Sequence, residues 1–170
     1  MVSLVNTELW APSVGRFILA MGSIESVMRR CVLNWTSSTI YKHTKSMGLN
    51  QRIDLVMGLV EEQPFPAASK ASFSKSLAEA KSLIPTRNTV AHHPLALMIF
   101  VDVDRPLQEG IFPKDSEEGS ITLEVLQLAY TKAEKVASDL EEGLVRFRSK
   151  SIDDYLAAPP LAGLPTNRAP

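Results

Sequence analysis

A long apolar repeat in the last third of the chain most constrains the fold. Over residues 122–148 the apolar positions recur at spacings of three and four, which is the period of a helix with one buried face. The repeat consists of Leu123, Leu126, Tyr130, Ala133, Ala137, Leu140, Leu144 and Phe147. Ser120 or Thr122 can cap this helix, and Glu124 in its first turn suits the helix dipole. The pattern predicts a long amphipathic helix packed lengthwise against others.

A second repeat of the same kind predicts the first helix, over residues 14–35. Pro12 is placed to occupy its first turn. Gly22 interrupts the repeat, a cost often tolerated where another helix approaches closely. The apolar positions are Val14, Phe17, Met21, Ile24, Met28, Cys31 and Trp35. We expect the two long helices to form an antiparallel pair at the centre of a bundle.

Two shorter helices are predicted between the long ones, at residues 49–62 and 69–84. Pro64 and Pro66 end the first of these, and Pro85 breaks the second. Residues 36–46 are rich in hydroxyl groups and are interpreted as a connection. The inward positions are Leu49, Ile53, Val56 and Val60 in the first helix, and Phe73, Leu77, Ala80 and Ile84 in the second.

An apolar run at residues 96–103 is too short for a typical helix and predicts a strand. Residues 109–113 form a second extended piece that can pair with it, followed by a charged loop at 114–119. The predicted fold class is all-α: an antiparallel four- to five-helix bundle with a short β-like insertion before the last long helix.

Composition limits the class of protein. The chain has 170 residues, of which 45% are hydrophobic, and this suffices for one domain with its own core. It contains neither a membrane-length apolar run nor a secretory signal, so we expect a cytoplasmic protein without a membrane partner. Cys31 is the only cysteine, which excludes an internal disulfide or a cysteine-cluster zinc site and predicts a buried structural thiol.

The formal net charge of −1 excludes a strongly basic nucleic-acid binder. Basic residues nevertheless outnumber acidic ones between residues 29 and 87, whereas the chain from residue 109 onward is acidic. A basic face on the first helices is compatible with transient RNA contact, through Arg29, Arg30 and Lys81. Ordinary solvated helix faces explain the same charges.

Residues 86–94, Thr-Arg-Asn-Thr-Val-Ala-His-His-Pro, carry the most specific chemistry. Metal-free RNA cleavage needs a base for the ribose hydroxyl, an acid for the leaving oxygen and a cation for the phosphate. Histidine serves either proton-transfer role, and arginine grips phosphate through a planar fork. We therefore predict that His92 and Arg87 are catalytic groups. No HExxH or paired-carboxylate spacing accompanies them, so no metal site or cofactor is expected.

Helical spacing sets a geometric condition on this segment. Asn88 precedes His92 by four residues and lies on the same side, where its amide can orient the imidazole or donate to phosphate. Arg87 and His92 diverge by about 140° on a regular helix, at roughly 100° per residue. A kink after Pro85, or a second chain, would be needed to bring both to one phosphate.

Residues 87–92 resemble the Arg, polar, three variable residues, His motif of the HEPN domain. The resemblance extends to Gly22-Ser23-Ile24-Glu25 in the first helix and to the order of elements over residues 14–149. Many HEPN domains are metal-independent endoribonucleases of toxin–antitoxin, abortive-infection and CRISPR systems. The resemblance implies a homodimer in which Arg87, Asn88 and His92 of both subunits form a composite cleft. The ribose hydroxyl would then attack and leave a cyclic phosphate.

The chain departs from some toxin members of that family at Pro94, where they carry a tyrosine. Glu25 and His93 are possible supporting residues, although a border carboxylate is often only salt-bridged, and His43 is expected at the surface.

The expected partners are RNA, a second copy of the chain and an antitoxin or regulatory protein. A non-catalytic HEPN-like module for dimerisation or for binding nucleotide or protein is the alternative, and a plain structural helical protein is a third. Residues 1–13 are predicted as a lead-in and 150–170 as a disordered Ala- and Pro-rich tail.

Overall fold

The computed structural model describes residues 5–99, 107–113 and 119–157, and these form six helices and one two-stranded sheet. The all-α bundle with a short β insertion before the last long helix is confirmed. In chain order the elements are α1 (Thr7–Trp35), α2 (Ser38–His43), α3 (Leu49–Glu62), α4 (Ala67–Ser82), α5 (Ile84–His92), β1 (Leu95–Ile99), β2 (Leu107–Ile111) and α6 (Leu123–Ala157).

The core lies along the seam between α1 and α6, as the apolar repeats predict. Phe17 and Ile24 of α1 and Leu126 and Leu140 of α6 are fully buried, and each such side chain contributes about 1.5–3 kcal/mol by leaving water. One end of the seam is closed by four aromatic rings, among which those of Phe65 and Phe147 stack with centroids 4.0 Å apart. The other two rings are Trp35 and Phe73.

The two long helices run in the same direction, so the predicted antiparallel pairing is wrong. Arg16 in the first half of α1 pairs with Glu134 at 2.6 Å. Trp35 at the end of α1 packs on Phe147, further along α6. Apolar period specifies which face of a helix is buried and carries no information about direction.

The short helices supply the antiparallel neighbours. Near the start of α3, Asp54 pairs with Lys81 at the end of α4, and at the other end Lys70 Nζ donates to the carbonyl of Glu61. α4 also opposes α6, since Phe73 contacts Phe147 while Lys132 and Ser82 are hydrogen-bonded. α4 is thus antiparallel to both α3 and α6.

α1 begins seven residues earlier than predicted, because Asn6 caps it by accepting a hydrogen bond from the backbone N–H of Leu9. Pro12 therefore lies inside the helix and not in its first turn. Trp10 is 2% exposed and belongs to the core. Gly22 has open space at the position of a Cβ, so no helix approaches it within the described chain.

The predicted connection at residues 36–46 contains the short helix α2, which Ser37 caps. α3 has the predicted bounds, and its inward residues Ile53, Val56 and Val60 are buried. α4 ends at Ser82, and α5 follows with Pro85 in its first turn. Backbone N–H groups in the first turn have no carbonyl partner within the helix, so proline is tolerated there. The helix therefore breaks just before Pro85, as predicted.

The predicted hairpin is confirmed in its described part. β1 and β2 pair antiparallel, with Leu95 opposite Ile111 and Leu97 opposite Glu109. The rest of the predicted first strand (residues 100–103) and most of the predicted charged loop (114–118) lie outside the described residues. Glu109 accepts a hydrogen bond of 2.6 Å from the backbone N–H of Asn6, which ties the hairpin to the start of α1.

α6 is capped by Thr122, whose hydroxyl accepts from the N–H of Val125. Hydrogen bonds from the Glu124 backbone N–H and the Thr122 side chain lower the pKa of Glu124. The helix continues to Ala157, so residues 150–157 are helical where a disordered tail was predicted. The remainder of that predicted tail, residues 158–170, lies outside the described residues. None of the described helices combines the length and hydropathy that crossing a membrane requires.

Candidate functional site

α5 presents residues 84–92 on the surface of the bundle. Leu83, directly before it, is buried, and Ile84 and Val90 pack against the core. These apolar contacts fix one side of a helix that has no fully buried residue of its own. The polar residues of α5 are consequently available to solvent.

Arg87 and Asn88 contact each other. Nη1 of Arg87 donates a hydrogen bond of 3.2 Å to Oδ1 of Asn88. Arg87 is half-buried, whereas Asn88 is exposed. Since the Asn88 carbonyl oxygen accepts this bond, its amide NH₂ can still donate to a ligand.

His92 is exposed in the last turn of α5, four residues after Asn88. The break at Pro85 precedes Arg87, so Arg87 and His92 belong to one helix. The predicted kink therefore does not turn their side chains together, and the helical step keeps them about 140° apart. Asn88 is the residue that adjoins both, one position from Arg87 and one turn from His92.

A cleft of about 420 Å³ lies beside α5 and is bordered by Arg87 and Asn88. Its other walls are Glu25 of α1, Ile84, and residues 47–51 at the start of α3. His92 is not among the lining residues that the structure describes. Within one chain the cleft thus joins Arg87 and Asn88 to Glu25, and it leaves His92 outside.

Glu25 is held by two arginines at the wall of this cleft. Its Oε1 accepts hydrogen bonds from Arg52 at 3.0 Å and from Arg29 at 2.8 Å. Partial burial alone would raise the pKa of Glu25, but the bonds from Arg52 and Arg29 outweigh it and lower the pKa. Glu25 is therefore a charged, fixed carboxylate.

Arg52 is the buried member of this cluster, with a side chain 3% exposed. It also donates to the carbonyl oxygens of Met47 at 2.7 Å and Thr44 at 3.3 Å. Sequence reasoning missed its role, although Arg52 lies three residues after Leu49 and four before Val56, on the inward face of α3. A charge at that spacing indicates a buried and therefore paired group.

The other candidate residues are placed differently. Arg30 pairs with Glu141, and Lys81 pairs with Asp54 at 2.5 Å. With Arg29 on Glu25, all three cations of the predicted RNA face already have carboxylate partners. His93 forms the C-cap of α5, with its backbone N–H donating to the carbonyl of Thr89. His43 is exposed as expected, at the end of α2.

The single thiol is structural in its placement. Cys31 is fully buried in α1, as predicted, and burial raises the pKa of its thiol to about 12. Among the described residues no three His, Cys, Asp or Glu side chains are grouped so that they could hold a metal ion.

Compared with known proteins, the chain matches no family model, no curated protein and no solved structure. The functional interpretation consequently depends on the motif at residues 87–92 and on the geometry around it.

Proposed function

We propose that the protein is a metal-independent endoribonuclease of the toxin or defence type, similar to HEPN domains and acting on RNA in the cytoplasm. The observation that carries the proposal is the Arg87–Asn88 hydrogen bond at the edge of a cleft. With His92 one turn beyond Asn88, the segment supplies a phosphate-binding cation, an amide donor and a group able to transfer protons.

The reaction follows from these groups. Neutral His92 takes the proton of a ribose 2′-hydroxyl, whose oxygen attacks the adjacent phosphorus. The bond from phosphorus to the 5′-oxygen breaks, and a protonated histidine gives that oxygen its proton. Arg87 and the Asn88 amide stabilise the charge that develops on the phosphate oxygens. The products are a 2′,3′-cyclic phosphate and a 5′-hydroxyl.

Two protonation roles and the divergence of Arg87 from His92 favour a composite site made by two copies of the chain. Exposed apolar and small residues on the outer side of α1 support association, since Leu19 is 74% exposed and Gly15 and Gly22 have open space around them. In a homodimer, His92 of one copy would complete the Arg87–Asn88 cleft of the other. An antitoxin or regulatory protein is a further expected partner.

A non-catalytic module for dimerisation or for binding nucleotide or protein is the second candidate. The observation that favours it is the position of His92 outside the cleft bordered by Arg87 and Asn88. Such a module would bind through Arg87 without needing His92.

Expression in a bacterial host separates the two functions. Wild type is expected to arrest growth, and His92→Ala and Arg87→Ala to relieve the arrest while remaining folded. His43→Ala replaces an exposed histidine of α2 that does not line the Arg87–Asn88 cleft, and it serves as the control that still arrests growth. Growth arrest that persists in folded Arg87→Ala and His92→Ala contradicts the catalytic assignment.

Light scattering at micromolar concentration tests the composite cleft. We expect a dimer that Leu19→Asp converts to a monomer, because the substitution places a charge on the exposed side of α1 that we propose as the dimer contact. Leu107→Asp makes the same change at an exposed residue of β2 and should leave the dimer intact. A wild-type monomer would remove the composite-cleft arrangement.

A further inference from the structure

A second cavity, of about 300 Å³, lies beside the Glu25–Arg52 pair and is lined by cations. Its walls are Arg29, Tyr41, Thr44, Lys45 and Arg52. Glu25 is the one carboxylate that pairs with any of these cations in the described part of the chain. Three positive side chains therefore face one negative charge, and the cavity has an excess of positive charge.

Lys45 supplies most of that excess. Arg29 and Arg52 share Glu25, whereas none of the described carboxylates pairs with Lys45. Its ammonium lies over the ring of Tyr41, 5.9 Å from the centroid, an arrangement that holds a cation without neutralising it. The ammonium can therefore still bind an anion.

The back of the cavity is rigid. Thr44 is buried, and its hydroxyl donates to the carbonyl of Tyr41 at 2.8 Å. Arg52 is fixed by Glu25 and by two backbone carbonyls. The wall behind an entering anion is therefore already ordered, and little conformational entropy is lost there on binding.

We propose that this cavity is a second phosphate-binding position for the RNA backbone, with Lys45 and Arg29 as its phosphate ligands; the proposal rests on the proposed function. The Glu25–Arg52 pair borders both cavities, because Glu25 lines the Arg87–Asn88 cleft and Arg52 lines this one. A strand with one phosphate at Arg87 passes this pair to place another at Lys45. The two arginines neutralise Glu25 along that path.

The site is tested with a fluorescently labelled single-stranded RNA whose riboses are all 2′-O-methylated, so that it binds but cannot be cleaved. Anisotropy is measured at several salt concentrations from roughly 50 to 200 mM. Lys45→Ala is expected to raise Kd about tenfold and to reduce the slope of log Kd against log salt by roughly 0.7. Arg29→Ala should act in the same direction.

Lys42→Ala is the matched control, because Lys42 is an exposed lysine in α2 that does not line the cavity. It should keep the wild-type Kd and slope. Equal Kd and slope for Lys45→Ala and Lys42→Ala overturn the proposal, as does an absence of RNA binding by wild type. AMP provides the second arm: Lys45-dependent binding of AMP but not of RNA assigns the cavity to free phosphate monoesters and also overturns it.

The second phosphate position and the proposed nuclease activity can each fail their test independently of the other. A Lys45-dependent Kd with no cleavage of unmodified RNA supports the second phosphate position and contradicts the nuclease. Cleavage that depends on His92, with Lys45→Ala and Lys42→Ala binding alike, supports the nuclease and contradicts the second position.

Discussion

Nη1 of Arg87 donates a 3.2 Å hydrogen bond to Oδ1 of Asn88, and Asn88 lies one helical turn before His92. The bond holds the guanidinium of Arg87 against the Asn88 side chain at the edge of the cleft. It also orients the Asn88 amide so that its NH₂ points away from Arg87. In the proposed nuclease, Asn88 therefore positions Arg87 as well as contacting phosphate itself.

Asn88→Ala should lower the rate of RNA cleavage about a hundredfold, because Arg87 loses its positioning bond and the phosphate loses a donor. The free energy of unfolding should change by less than about 0.5 kcal/mol, since Asn88 is exposed. Single-turnover cleavage and urea denaturation measure the two effects. Asn34→Ala, at an exposed position of α1, is the control. A cleavage rate equal to that of the control would exclude the role of Asn88.

Glu25→Gln should lower the free energy of unfolding by about 1–3 kcal/mol, because Arg52 loses a charge-assisted bond while its side chain stays buried. Glu142→Gln is the control. Its partner Arg146 is 71% exposed and Glu142 itself 61%, so the change should be within about 0.5 kcal/mol. Equal small losses in urea denaturation would show that the Glu25–Arg52 pair does not stabilise the fold.

The stabilisation by Glu25 should depend on pH. Its pKa in the folded protein is lowered from the ordinary 4.5, so the unfolded chain takes up the proton more readily. The contribution is complete above pH 4.5 and is lost as pH falls through the folded pKa. The stability difference between wild type and Glu25→Gln should therefore shrink below pH 4.5. A difference that stays constant through that range would contradict the assignment.

Gly143→Ala should destabilise the bundle. A Cβ at Gly143 would lie 2.6 Å from Cδ2 of Phe73, and that ring is held between Trp35 and Phe147. The overpacking cost of about 1–3 kcal/mol exceeds the gain of about 1 kcal/mol from placing alanine in a helix. The melting temperature should fall.

Gly58→Ala is the matched control for that change, because Gly58 is also helical but has open space around it. Here the helix propensity acts alone, so the melting temperature should rise. If both variants raise the melting temperature, the contact between α4 and α6 at Gly143 is looser than the structure has it.

The elements that could be predicted are those whose burial follows a regular period. α3 matches its predicted bounds because four inward residues at helical spacing are followed by Pro64. The direction of α6 relative to α1 could not be predicted, since a three-four repeat reads the same for either orientation. α2 was not predicted, because none of its six residues is buried and it therefore shows no apolar period.

The candidate site likewise has a part that could be predicted from the sequence and a part that could not. Arg87, Asn88 and His92 lie within six residues of each other and were predicted from their residue types and spacing. Their cleft is built with Glu25 and the start of α3, which come together only through tertiary packing. Lys45 was not identified from the sequence, because nothing in its sequence neighbourhood reveals the carboxylate shared by Arg29 and Arg52.

Cleavage of RNA in the presence of EDTA, with end-group analysis of the products, tests the central claim most directly. Wild type and His43→Ala are predicted to leave 2′,3′-cyclic phosphate and 5′-hydroxyl ends, whereas His92→Ala leaves the RNA intact. Cleavage by His92→Ala at the wild-type rate, or an activity that EDTA abolishes, would contradict a metal-independent nuclease centred on His92.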